Sequence, residues 1–199
     1  MTPEQIESLI DERIAHHLDD KFADLQSQLS EIASAVKNGG GNVPEHRATL
    51  MVLSGDFDKL FAAFSIALGA AANDMQVSMF FTFWGLNALR TGRSYADKDL
   101  AEKMIATMLP SGPNSVPASK MNMLGIGPLF FKHLMKKKNV QSLPDMIALA
   151  REMGVRIIAC DTSMTVMGIQ RSELLPDIDY GGVATYMEVA SKSKITLFI

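Results

Sequence analysis

Apolar residues are spaced as a helical stripe from Met1 to Lys37 and as short continuous runs after His46, and that change divides the chain. In the first region Leu18, Phe22, Leu25, Leu29, Ile32 and Val36 alternate steps of four and three, the spacing of a coiled-coil seam. Upstream, Ile10, Ile14 and Leu18 step by four each time, so the strict heptad fails there and the seam drifts. A helix of this kind must bury its stripe. Self-association is the expected use, with packing on its own domain as the alternative. The stretch "NGGGNVPE", Asn38 to Glu45, then ends the helix and provides a flexible joint that lets it stand away. A phosphate-cradling loop would follow a strand and place Lys and Ser/Thr after its glycines; this cluster follows a helix, which excludes that reading.

Continuous apolar runs predict strands at Ala48 to Leu53, Gln76 to Phe83, Val155 to Cys160 and Lys194 to Ile199. Between them lie helical patterns. One starts at Asp56 and stops near Asn73. Another has Ser142 as N-cap, proline in its first turn and Gly154 as stop, and "GGVATYMEVASKS" supplies a third before the last strand. Continuous apolar strands separated by helices predict a mostly parallel sheet covered on both faces, a three-layer α/β domain over residues 46–199. The segment from Gly85 to Gln141 is too long for a simple crossover, and "LPSGPNSVPAS" interrupts it. Helices are expected there at Asp97 to Met108 and, less regularly, Ala118 to Lys138. A fifth strand is either hidden in this segment or absent. "GIGPLF", Gly125 to Phe130, lacks the third glycine and preceding strand of a dinucleotide fingerprint and reads as a flexible turn.

Composition narrows the partners. With 199 residues the chain holds one domain plus an appendage. A net charge of -3 gives no broad basic surface, so a protein or small molecule, not nucleic acid, is the expected partner. The single cysteine cannot form an internal disulfide and no signal peptide opens the chain, which favours a reducing cytoplasm. The most apolar window, "LFAAFSIALGAAA", is too short to cross a bilayer, so no transmembrane segment is expected. The histidines are scattered and His16 and His17 are adjacent, not spaced to share a metal, so no metal is expected. No Gly-x-Ser-x-Gly elbow supports a hydrolase.

In parallel sheets, reacting groups collect beyond the carboxyl ends of the strands. Cys160 falls at such an end, and "DTSM" directly after it opens a helix whose amides stabilise a thiolate. Asp161 opposes this if its carboxylate approaches the sulfur. Cysteine is also among the most buried residue types, so a packing role stands beside the reactive one. Met164 and Met167 read as packing residues that can also wall a protected sulfur. "TFWGL" should open onto the same edge, where Trp84 and Gly85 line a pocket or Trp84 closes the core.

The run "IIACDTSMTVMGI", with "TFWGL" upstream and the α/β order from Ala48 to Ile199, resembles the DsrE/DsrF-like family of sulfur-relay proteins, in the branch with a cysteine at the end of a late strand followed by an "MGI" segment. The resemblance implies a flavodoxin-like fold and homo-oligomeric assembly. It also implies a sulfur carrier or sulfurtransferase whose cysteine holds sulfur as a persulfide or thiosulfonate and passes it to a partner thiol. The acceptor maps to Cys160, with Asp161, Thr162, Ser163, Met164 and Met167 as its supporting loop and helix. The implied partners are other sulfur-relay proteins, donor and acceptor thiols of TusA-like kind, and no cofactor is implied. A second thiol must come from another subunit or partner. A non-catalytic oligomeric scaffold with a structural cysteine is the rival reading. Lys136, Lys137 and Lys138 read as a solvated helix end, or as an attractor for an anionic donor or acidic partner.

Overall fold

A computed structural model describes residues 21–23, 25–30, 45–120 and 126–199, and internal contact divides the chain into Met1–Val43 and Pro44–Ile199. In the first unit the described residues are helical, and Phe22, Leu25 and Leu29 are 65%, 53% and 64% exposed. The remaining seam positions, His16, His17 and most of the glycine-rich joint lie outside the described residues.

The second unit carries a sheet of β1 (Glu45–Val52), β2 (Gln76–Phe81), β3 (Arg156–Cys160), β4 (Asp179–Gly181) and β5 (Ser193–Phe198). All of its pairings are parallel, in the order β4-β3-β2-β1-β5. It is a doubly wound sheet, flavodoxin-like in its three α/β layers, with β5 and not β2 as the strand on the far side of β1. Four strands fall where the apolar runs predict them. The fifth, β4, is outside the Gly85 to Gln141 segment, where none occurs among the described residues. Its sequence "DYG" has no apolar run, and it is a strand because Asp179 to Gly181 pair with Ile158 to Cys160.

Two of the helices begin at side-chain caps, Asp99 and Ser142, and those that open at Phe57, Asp161 and Val183 start without one. α1 (Phe57–Ala72) has Asp56 as N-cap and Asn73 as C-cap. α2 (Leu100–Met108) begins with a capping box between Asp99 and Glu102, later than the predicted Asp97. α3 (Ile126–Lys137) includes Ile126 to Phe130, so the turn expected at "GIGPLF" is instead the opening of a helix there. Pro128 is tolerated because first-turn amides have no intrahelical acceptor. Ala118 to Lys120, predicted as helix, are irregular. α4 (Leu143–Glu152) has the Ser142 cap, completed by Asp145, and α5 (Asp161–Met167) ends at Gly168 in the left-handed region, φ 61°. α6 (Val183–Ala190) precedes β5.

Strand alternation sorts the core onto two unequal faces. On one, Leu50, Val52, Met79, Phe81 and Ile157 pack with Leu60 and Phe64 of α1 and Ile147 of α4. Each such side chain contributes about 1.5–3 kcal/mol by leaving water. On the other, Phe80, Ile158 and Cys160 form a small cluster against Met51 and Tyr186 of α6. The Phe80 and Tyr186 rings lie 5.5 Å apart.

Candidate functional site around Cys160

β3 hands Cys160 directly to α5. The residue is the last of the strand and the N-cap of the helix, with φ -76° and ψ 110°, so the first amides of α5 turn towards it. Cys160 is 6% exposed. Burial pushes its thiol pKa up, but the Ser163 hydroxyl and amide, the Thr82 hydroxyl and the Thr162 amide pull it below its ordinary value. The Thr82 and Ser163 hydroxyl oxygens are themselves 2.7 Å apart and buried. The donors are all neutral dipoles, and they favour a thiolate, the nucleophilic form.

Ser163 and the Thr162 amide therefore belong to the cysteine's surroundings. The Asp161 carboxylate, which the sequence allowed to oppose the thiolate, is paired with another side chain. Its carboxylate accepts from Arg171 at 3.1 Å, and the Arg171 guanidinium sits 4.2 Å over the Tyr180 ring. Met164 and Met167 are each 5% exposed and join the main core. Trp84 is 56% exposed and does not close the core. It lies in the 3-10 helix Phe83–Leu89 and lines a groove beyond β1 and β2, with Gly85 buried beneath it.

Thr82 is the residue sequence reasoning missed. Parallel pairing of Phe81 with Ala159 places Thr82 beside Cys160, so the signal lies in the register between two strands. The next residue, Phe83, has φ 43°, an uncommon conformation for a side chain of its size. This bend turns the chain out of β2 immediately after Thr82.

A second buried polar cluster stands near the same edge. Glu173, 2% exposed, accepts from Arg90 at 3.0 Å, Lys98 at 2.7 Å, and the amides of Ser94 and Gln170 at 2.6 and 2.9 Å. Burial pushes its carboxyl up, but Lys98, the two amides and Arg90 hold it below the usual carboxylate range. Among the described residues no group of three or more His, Cys, Asp or Glu is placed to hold a metal.

A model of the DsrE/DsrF/DrsH-like family matches residues 44–198. The chain belongs to that family. Its relatives include the uncharacterized protein YrkE of Bacillus subtilis strain 168, 47% identical over 77% of this chain and 96% of that one. The sulfur carrier protein DsrE2 of Allochromatium vinosum is 26% identical over 78% of this chain and 99% of its own length. Among solved structures, the crystal structure of the ychN protein of E. coli is similar with a TM-score of 0.45 and 11% identity, covering 77% of this chain and 99% of that one. No helix of the described residues is long and apolar enough to cross a membrane.

Proposed function

We propose that this DsrE/DsrF/DrsH-like protein is a sulfur carrier that holds sulfane sulfur on Cys160 and passes it to a partner thiol. The observation that carries the reading is the position of the chain's single thiol at the β3–α5 junction, beside the buried Thr82–Ser163 hydroxyl pair and the first amides of α5. The likeness to a relative named as a sulfur carrier supports it.

In the forward step the Cys160 thiolate attacks the outer sulfur of a donor persulfide. An S–S bond forms to Cys160 as the donor's S–S bond breaks, and the donor leaves as a thiolate. An acceptor thiolate then attacks that outer sulfur and Cys160 leaves as thiolate. Bonds are exchanged one for one, so no oxidant or reductant is consumed. The dipoles of Thr82, Ser163 and Thr162 stabilise the anion before loading and after release. Low exposure shields the loaded sulfur between transfers. With tetrathionate as donor, the thiolate attacks an inner sulfane sulfur, the central S–S bond breaks, and a thiosulfonate is left on Cys160 as thiosulfate departs.

Intact-protein mass spectrometry after incubation with polysulfide, thiosulfate or tetrathionate, on wild type and Cys160→Ser, tests this. A reducible sulfur or thiosulfonate adduct on wild type alone is expected, its mass naming the cargo. Folded wild type that stays unmodified with every donor would assign Cys160 to packing with Phe80 and Ile158, the scaffold reading.

We further propose that the segment 1–37 joins subunits of a cytoplasmic homo-oligomer, with residues 38–45 as its joint and 46–199 as the carrier domain. The exposure of Phe22, Leu25 and Leu29 supports this, since a stripe of large apolar side chains needs a cover. Deleting Met1 to Gly40 should lower the mass measured by light scattering; an unchanged subunit count would remove the segment from assembly.

A further inference from the structure

We propose that the groove beyond the carboxyl ends of β1 and β2 binds a small uncharged ligand that joins an apolar ring to an amide edge, one N–H beside one C=O. The groove encloses about 620 Å³, within the range of small-molecule sites. Its walls are Trp84, Ile105, Met108, Leu109 and Pro110, with Asn87 among them. Trp84 and Met108 are 56% and 84% exposed, so a ring can lie against both.

The floor is built by a reciprocal close approach. A Cβ on Gly55 would meet the Trp84 carbonyl at 2.6 Å, and one on Gly85 would meet the Val52 carbonyl at 2.2 Å. Side chains at these positions would force the two strand-end segments apart. The Gly85 amide instead donates to the Leu53 carbonyl at 2.9 Å, which fixes the indole's backbone beside β1.

The polar groups decide the ligand class. Lys59 pairs with Asp56 at 3.0 Å and Ser54 donates to the same carboxylate at 3.1 Å, so the charges at the rim answer one another and no net charge awaits a charged ligand. Asn87 is different: it is 2% exposed, it lines the groove, and its Oδ1 is buried with no hydrogen-bond partner among the described residues. Buried side-chain oxygens are ordinarily paired. The Asn87 carboxamide carries its acceptor beside its donor, so an amide edge on the ligand, one N–H beside one C=O, complements it and answers the orphaned Oδ1. Cys160 is not among the lining residues, and the inference stands independently of sulfur transfer.

Trp84 is the only tryptophan in the chain, so its single indole N–H resonance in a ¹H–¹⁵N spectrum of the full-length protein reports this groove alone. Benzamide serves as the amide probe and N,N-dimethylbenzamide, which has no N–H, as its control. Benzamide should shift the indole resonance saturably and bind on the order of tenfold more tightly than the control. Asn87→Leu should equalise the two probes, and Met108→Glu, at an exposed position, should weaken both. Should Asn87→Leu fail to fold, the probe pair on wild type and Met108→Glu decide the matter. No saturable shift, equal affinity of wild type for both probes, or unchanged binding by Met108→Glu would each overturn the proposal. A Cys160→Ser variant should bind benzamide as wild type does, which separates this result from any failure of the carrier reading.

Discussion

Cys160 and Glu173 are both buried groups held towards their anionic forms, and they are held by opposite means. Glu173 is answered by two cations and two amides. Around Cys160 the shift comes from hydroxyl and amide dipoles alone. A carboxylate locked between Arg90 and Lys98 fixes the segments that carry those residues, and any change of its charge leaves buried cations unpaired. Dipoles make a lighter commitment. They favour a thiolate, and on the proposed carrier reading the same dipoles would favour the anion of a persulfide. The contrast separates a structural anion from one that, on the proposed carrier reading, is suited to exchange.

The largest test of that contrast is Glu173→Gln. Urea denaturation should show a loss of about 3–5 kcal/mol, because Arg90 and Lys98 remain buried without their carboxylate. A loss below about 1 kcal/mol would mean the cluster does not hold these segments. Acid offers the same test without mutation. The folded carboxyl is depressed below its ordinary 4.5, so its stabilisation is fully present above the unfolded value and disappears as pH falls through the folded one. Wild type should lose stability in that window, and Glu173→Gln should lack this part of the decline.

Next in size is the loss of dipoles at Cys160. Ser163→Ala and Thr82→Val should each slow iodoacetamide alkylation at pH 7 by on the order of tenfold, since a hydrogen bond to a charged group is worth about one pKa unit or more. The sign follows from the thiolate being the nucleophile: a depressed pKa leaves more of it at neutral pH. The midpoint of the pH–rate curve should lie below 9.0 in wild type and move upward in both variants. An unmoved midpoint would reduce the hydroxyl pair to packing.

These two clusters differ equally in how visible they are from sequence. Cys160 is legible because a continuous apolar run ending in cysteine, followed by helix-opening residues, needs only local pattern. The Ser142 cap and the paired stop and start of α1 are local in the same way. Thr82 is not, since only the register of β2 against β3 brings it to the sulfur. Arg90, Lys98 and Glu173 look like ordinary surface charges along the chain. Their burial arises when Arg90, which forms an isolated bridge with Leu174, meets the turn at Glu173. β4 escapes for a related reason: its strand character comes from its neighbour and not from its own residues.

The smallest expected effect concerns Asp161, whose negative charge follows the cysteine directly in sequence. A carboxylate close to the sulfur would disfavour the thiolate and offset the dipoles. Its side chain is instead 47% exposed and bonded to Arg171, itself 65% exposed and stacked over Tyr180. An exposed ion pair of this kind is worth about 0–1 kcal/mol and is screened at physiological salt. Asp161→Asn should therefore change the alkylation rate at pH 7 by less than about threefold, with little change in urea midpoint. A tenfold acceleration would show that Asp161 restrains the thiolate after all, and the picture of a sulfur governed by neutral dipoles alone would have to include a charge.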